Sequence, residues 1–235
     1  MLRNYSIKQR LFVNAIAVGV AMLMMLLLLM YQSSQQTSLS ELRLDIASLR
    51  TDVLTLRRHE KDFLMRRDMS YDEKYQESFK VLQADISHLK QGLEQAEIDT
   101  APLDEFAKQT LLYQQQFDRA VSLWQQVGLD PQSGLYGDLR KAAHALEQQF
   151  KQVQNDAMLV SLLQLRRAEK DFMLRLDLKY LDSFQAEFSR FQSMLEQAEL
   201  QQAAAAYQQA FVALVQGQQE IGLDQEQGVM KQMRS

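Results

Sequence analysis

Arg57, Arg58, Glu60, Lys61 and Asp62 recur as Arg166, Arg167, Glu169, Lys170 and Asp171 inside two copies of one phrase, LRRHEKDFLMRRD at residues 56–68 and LRRAEKDFMLRLD at residues 165–177. A guanidinium is a planar fork of donors that takes a carboxylate in bidentate fashion, and an ammonium adds a point charge beside it. On a helix, residues three or four apart share a face, so Arg57 with Glu60, Arg58 with Asp62, and their counterparts in the second copy are spaced to pair. Two readings of the cluster stand side by side. In one, the ions set helix register and solvate a bundle surface. In the other, Arg57, Arg58, Lys61, Arg166, Arg167 and Lys170 line a polar pocket between helices and bind a small ligand.

The duplication extends beyond the phrase. Tyr113, Phe117, Gly128, Asp130, Gly134 and Arg140 reappear as Tyr207, Phe211, Gly222, Asp224, Gly228 and Arg234, so a whole unit is repeated. The two phrases are offset by 109 residues and the LEQAE segments by 102, a difference of 7. Losing one heptad keeps seam residues on their original face, which fits helices packed along a seam.

Composition points the same way. Of 235 residues, 46% are hydrophobic and 24% charged, with 8 Gly and 2 Pro, too few turn formers for an all-β or α/β fold. Leu39, Leu42, Ile46, Leu49, Val53 and Leu56 follow the 3,4 spacing of a bundle or coiled-coil seam. Continued at the same spacing, the seam reaches Glu60 and Phe63; in the second copy Leu162 and Leu165 lead to Glu169 and Phe172. A carboxylate therefore interrupts each apolar face and requires a partner, which Arg57 or Arg166 one turn earlier can supply. The repeated aromatics and Trp124 read as core residues, with one or two of them lining a ligand site as the alternative.

The same inventory excludes several functions. With no cysteine there is no disulfide, thiolate nucleophile or thiolate metal site. His59, His88 and His144 are scattered, so neither zinc nor haem is expected, and no cofactor is called for. No nucleophile constellation, phosphate-cradling loop or catalytic carboxylate pair is present, and the chain is read as a non-enzyme. The 26 basic residues less Arg3, Lys8 and Arg10 leave 23 against 30 acidic ones in residues 31–235, a balance of −7 that opposes nucleic acid.

Residues 11–30 form an almost unbroken apolar run; about 20 residues at ~1.5 Å each match a hydrocarbon core of ~30 Å. Arg3, Lys8 and Arg10 precede the run and the next basic residue is Arg43, which orients residues 1–10 to the cytoplasm and 31–235 to the outer side of the membrane. A cleaved signal peptide is the alternative, but the run is long and Leu28-Leu29-Met30-Tyr31 lacks a small-x-small cleavage pattern.

Neither Gly nor Pro occurs between Tyr31 and Gln91, so that stretch can be one long helix. Asp99-Thr100-Ala101-Pro102 predicts a turn into a helix over about 103–127, with Asp99 or Thr100 capping. The loop at 128–134 leads to a third helix, a reversal falls near Asn155 and Asp156, and a second long helix follows over about 158–200. A short helix over about 203–221, a second Gly loop and the start of a sixth helix complete the chain. The expected fold is all-α: an N-terminal transmembrane helix, then two stacked four-helix-bundle modules with long shared helices and a truncated last helix. In that arrangement the distal bundle combines the ends of the long helices with the helices near 103–127 and 136–155.

At LRRHEKDFLMR, LRRAEKDFMLR and GLDPQSGLYGDLRKAAHALE the chain resembles the helical bimodular sensor domains of bacterial methyl-accepting chemotaxis proteins and some sensor kinases, over most of residues 31–235. The resemblance implies two stacked four-helix bundles, a homodimer, and a small polar ligand such as an organic acid. One departure bears on the ligand class. Carboxylate-binding members carry Arg-x-x-Arg on the first long helix, whereas Arg57 is followed three residues later by Glu60. The expected function is a chemoreceptor input region; a histidine-kinase input domain and a membrane-anchored helical scaffold without small ligand are the alternatives.

Overall fold

The computed structural model describes the backbone of residues 7–150 and 155–234, and the side chains of residues 20–28, 40–150 and 155–234. The side chains of Arg3, Lys8, Arg10 and Leu39, much of the apolar run 11–30, and residues 151–154 lie outside that set. Regular structure among the described residues is helical, without strands: α1 (Ile7–Arg66), α2 (Met69–Gln95), α3 (Ala101–Val127), α4 (Gly134–Phe150), α5 (Asp156–Arg175), α6 (Lys179–Gln192), α7 (Ala198–Ile221) and α8 (Gly228–Gln232). Among the described residues no helix is long and apolar enough to cross a membrane. Residues 20–28 of α1 are all exposed, and apart from Ala21 all are large and apolar.

Two long helices predicted from the sequence are interrupted. α1 stops at Arg66 because Arg67 adopts the left-handed conformation at φ 56°, its N–H bonding back to the Phe63 carbonyl at 2.8 Å. The Asp68 side chain then accepts the Ser70 N–H at 2.9 Å and starts α2. The second copy repeats the device. Leu176 sits at φ 51° with its N–H on the Phe172 carbonyl, and Asp177 accepts the Lys179 N–H at 3.0 Å. A non-glycine residue in this region costs about 1–2 kcal/mol, so tertiary packing, with Phe63 and Phe172 completely buried just before each break, must hold it. The expected helix over 158–200 breaks again at 193–197, between α6 and α7.

Other boundaries follow their local chemistry. Asp99 accepts the Ala101 N–H at 3.0 Å, leaving Pro102 in the first turn of α3, where its missing donor is harmless. Asn155 caps α5 by accepting the Met158 N–H. The repeated loops each hold a glycine with φ near 120°, Gly128 at 121° and Gly222 at 120°. A Cβ there would strike the carbonyl oxygen of Ser133 or Gln227, so glycine is required in both copies.

The chain divides into two compact units, residues 1–56 with 77–107 and residues 57–76 with 108–235. In the first, Leu42, Leu49 and Leu56 of α1 and Phe79, Leu82, Ile86 and Leu89 of α2 are buried. Polar ties set the antiparallel register: Ser48 Oγ donates to Asp85 at 3.3 Å, and His88 Nδ1 lies 3.4 Å from Asp45. The seam is narrower than its sequence pattern, because Ile46 is 54% exposed; the buried positions fall every seventh residue.

In the second unit the two copies rebuild the same aromatic contacts. Phe63 meets Phe117 edge-on at 5.7 Å, and Phe172 meets Phe211 edge-on at 5.7 Å. Tyr75 lies 4.0 Å from Phe117, and Phe184, at the matching position, 4.3 Å from Phe211. Each such ring buries most of its surface, worth roughly 1.5–3 kcal/mol, and the edge-to-face geometry adds about 0.5–1.5 kcal/mol. The pairing of α4 differs from the expectation that grouped it with the helix over 103–127. It runs along α7, its Phe150 meets Phe191 of α6, and its Glu147 reaches Arg166 of α5, so α4, α5, α6 and α7 share a core.

Candidate functional site

The interrupting carboxylates organise the site. Glu169 is 4% exposed on the inner face of α5, where one oxygen, Oε2, accepts hydrogen bonds from Arg166 Nη1 and from the Tyr207 hydroxyl of α7. Arg166 is held from its other side by Glu147, with Nε 3.2 Å from the carboxylate. Burial pushes the Glu169 pKa up, opposed by the Tyr207 hydrogen bond and the Arg166 charge, and the outcome lies above the usual carboxylate value. Burial works against the charge of Arg166, but Glu169, Tyr207 and Glu147 together outweigh it and the guanidinium pKa rises. Tyr207 is held protonated by burial and by the neighbouring carboxylate.

The first copy repeats this plan with looser packing. Glu60 accepts from the Tyr113 hydroxyl of α3, and both residues remain partly exposed. Burial raises the Glu60 pKa, against the Tyr113 hydrogen bond and the charges of Arg57, Lys61 and Arg234. Of the two anticipated arginine–glutamate pairs, Arg166–Glu169 closes as a direct bridge; the direct contact to Glu60 comes from Tyr113, and Arg57 acts on it through its charge.

On the outer side of α5 the predicted cations come together. Arg166, Arg167 and Lys170, joined by Arg175 and by Tyr180 of α6, line a solvent-open hollow of about 520 Å³. Asp171 is the one carboxylate on its wall, lying 3.8 Å from Arg167 and 3.9 Å from Arg175. A second hollow of about 530 Å³ continues past Tyr180 to Ser183, Glu187 and Arg190. With Arg166 committed to Glu169 and Glu147, Arg167, Lys170 and Arg175 face Asp171 alone and leave the first hollow with an excess of positive charge. Arg167 is 77% exposed and its bridge is long, so an incoming carboxylate competes with a weak partner. Arg166 is 20% exposed and committed to Glu169 and Glu147; it anchors the wall more than it offers a free fork.

Arg57, Arg58 and Lys61 are exposed along α1. Asp62, expected opposite Arg58, has Arg66 at 3.7 Å. Tyr113 and Tyr207, read from the sequence as core aromatics, prove to be the hydroxyl donors that satisfy the inward carboxylates. The signal for that role was available, since both tyrosines and both glutamates survive in the two copies. Arg175 and Tyr180 carry the same mark, as the counterparts of Arg66 and Tyr71 in the first copy, but their place beside Arg167 and Lys170 depends on α6 folding against α5. Comparison of the chain with family models, curated proteins and solved structures finds no match.

Proposed function

We propose that this chain is the ligand-sensing input region of a bacterial transmembrane chemoreceptor, binding a small polar metabolite such as an organic acid. The hollow between α5 and α6 carries the reading: Arg167, Lys170 and Arg175 reach solvent, while the Glu169–Arg166–Tyr207 network fixes the helix that presents them. A ligand bridging α5 and α6 favours one relative placement of the two helices, and only that difference in affinity between placements can drive a signal. Residues 11–30 form the span that carries the displacement across the inner membrane, with residues 31–235 in the periplasm as a homodimer of two stacked helical modules. The exposed apolar side chains of residues 20–28 support the anchor, and the resemblance at the duplicated phrase supports the modules.

A thermal-shift screen of the detergent-solubilised chain against organic acids, amino acids and amines tests the proposal. A ligand at 100 times its dissociation constant stabilises by ~2.7 kcal/mol, and the combined change Arg167→Ala and Lys170→Ala removes that shift while leaving helicity intact. If all three ligand classes leave the melting temperature unchanged, the sensor reading fails and a membrane-anchored scaffold takes its place.

A further inference from the structure

The copies diverge at two matched positions: Arg67 and Trp124 in the first copy correspond to Leu176 and Gln218 in the second. The shared fold does not need a cation there, because leucine serves the same left-handed backbone position. Yet the Arg67 guanidinium is laid 3.3 Å above the centre of the Trp124 ring. Among the described residues, Arg67 Nη1 and Trp124 Nε1 are both buried without a hydrogen-bond acceptor. The cluster continues to Tyr136, whose hydroxyl accepts from Gln218 Nε2 at 2.9 Å and whose electrostatic field reaches Arg67. Gln218 is 1% exposed, and its Oε1 is likewise unpartnered. Burial holds the Arg67 pKa down, at about 10, so at neutral pH the group remains a cation.

Stacking on an indole stabilises a guanidinium but provides no lone pair for its inward N–H. A buried donor without an acceptor is costly, and two on one stack, at a site the sister copy fills with leucine, require an offsetting interaction. An uncharged carbonyl can accept from both donors but leaves the cation unneutralised. A carboxylate has two oxygens, one for Arg67 Nη1 and one for Trp124 Nε1, and supplies the missing charge. We propose that Arg67 and Trp124 form a second anion site, taking a small monocarboxylate, with Tyr136 and Gln218 as its polar wall. The site is separate from the α5–α6 hollow and does not rest on it.

Trp124 is the only tryptophan in the chain, so its emission reports the site directly. Acetate titrated into the detergent-solubilised full chain at constant ionic strength produces a saturable change in emission, and acetamide, the same shape without the charge, does not. Arg67→Leu, carrying the residue tolerated at position 176, keeps its helicity by circular dichroism and loses the acetate response. Arg167→Ala retains it, which separates this site from the hollow. Trp124→Phe, read by melting temperature, shows a smaller acetate shift than the unaltered chain. An absent or non-saturating response to acetate, an equal response to acetamide, or an undiminished response in Arg67→Leu would each overturn the proposal.

Discussion

Replacing Tyr207 by phenylalanine removes one oxygen from a completely buried position and leaves the ring volume in place. No cavity opens, so the whole effect reports the hydroxyl. That hydroxyl donates to Glu169, which is 4% exposed and accepts from Arg166 through the same oxygen. A hydrogen bond to a charged partner contributes about 1.5–3 kcal/mol. With the carboxylate shielded from water, no solvent molecule replaces the donor, and Tyr207→Phe should cost that full amount. For a unit of this size, about 2–4 °C of melting temperature accompanies each kcal/mol, so a drop of roughly 3–12 °C is expected. Tyr113→Phe makes the same deletion beside the partly exposed Glu60, where water can substitute, and should cost about 0.5–1.5 kcal/mol. Thermal unfolding followed by circular dichroism at pH 7 measures both. A loss below about 0.5 kcal/mol for Tyr207→Phe, or a larger loss for Tyr113→Phe, would refute the view that burial around Glu169 gives this bond its strength.

Four further outcomes follow from the geometry. The folded-state pKa of Glu169 lies above its ordinary 4.5, so between 4.5 and the raised value the folded chain keeps a proton that the unfolded chain has released. Its contribution to stability is present below 4.5 and declines as pH rises through that window; Glu169→Gln should remove this part of the pH dependence in denaturant titrations, while Tyr207→Phe, by removing an opposing hydrogen bond, should extend the window upward. Asp52 behaves in the same sense, raised first by burial and then by Asp85 across the α1–α2 seam, and Asp52→Asn should flatten the decline with rising pH when unfolding is followed by hydrogen exchange within residues 40–56. Gly128→Ala or Gly222→Ala should destabilise by more than about 1 kcal/mol, since both the positive φ and the facing carbonyl oxygen exclude a Cβ; melting temperatures decide this. Exposed Glu97, at φ 55° just beyond α2, should give the opposite result, with Glu97→Gly stabilising by up to about 1 kcal/mol in urea unfolding.

The amino-acid sequence determined what depends on neighbours along the chain. Seam spacing and scarce glycine and proline specify helices. Asp99 with Pro102, and the glycines at 128, 134, 222 and 228, mark ends that the structure keeps. The repeated arginine–glutamate spacing identified the inward carboxylates and one of their ion pairs. Tertiary structure decided the rest. No glycine or proline announces the breaks at Arg67 and Leu176; Asp68 and Asp177 start the helices that follow, but a non-glycine residue enters the left-handed region only when packing around Phe63 and Phe172 offsets its cost. Equal phrases acquired unequal environments for a similar reason: Glu169 lies fully inside while Glu60 stays half in water, and periodicity assigns a face to a residue without fixing how deeply that face is covered. The grouping of Arg167, Lys170 and Arg175 with Tyr180 depends on α6 lying beside α5, a contact between side chains that only the folded chain brings together.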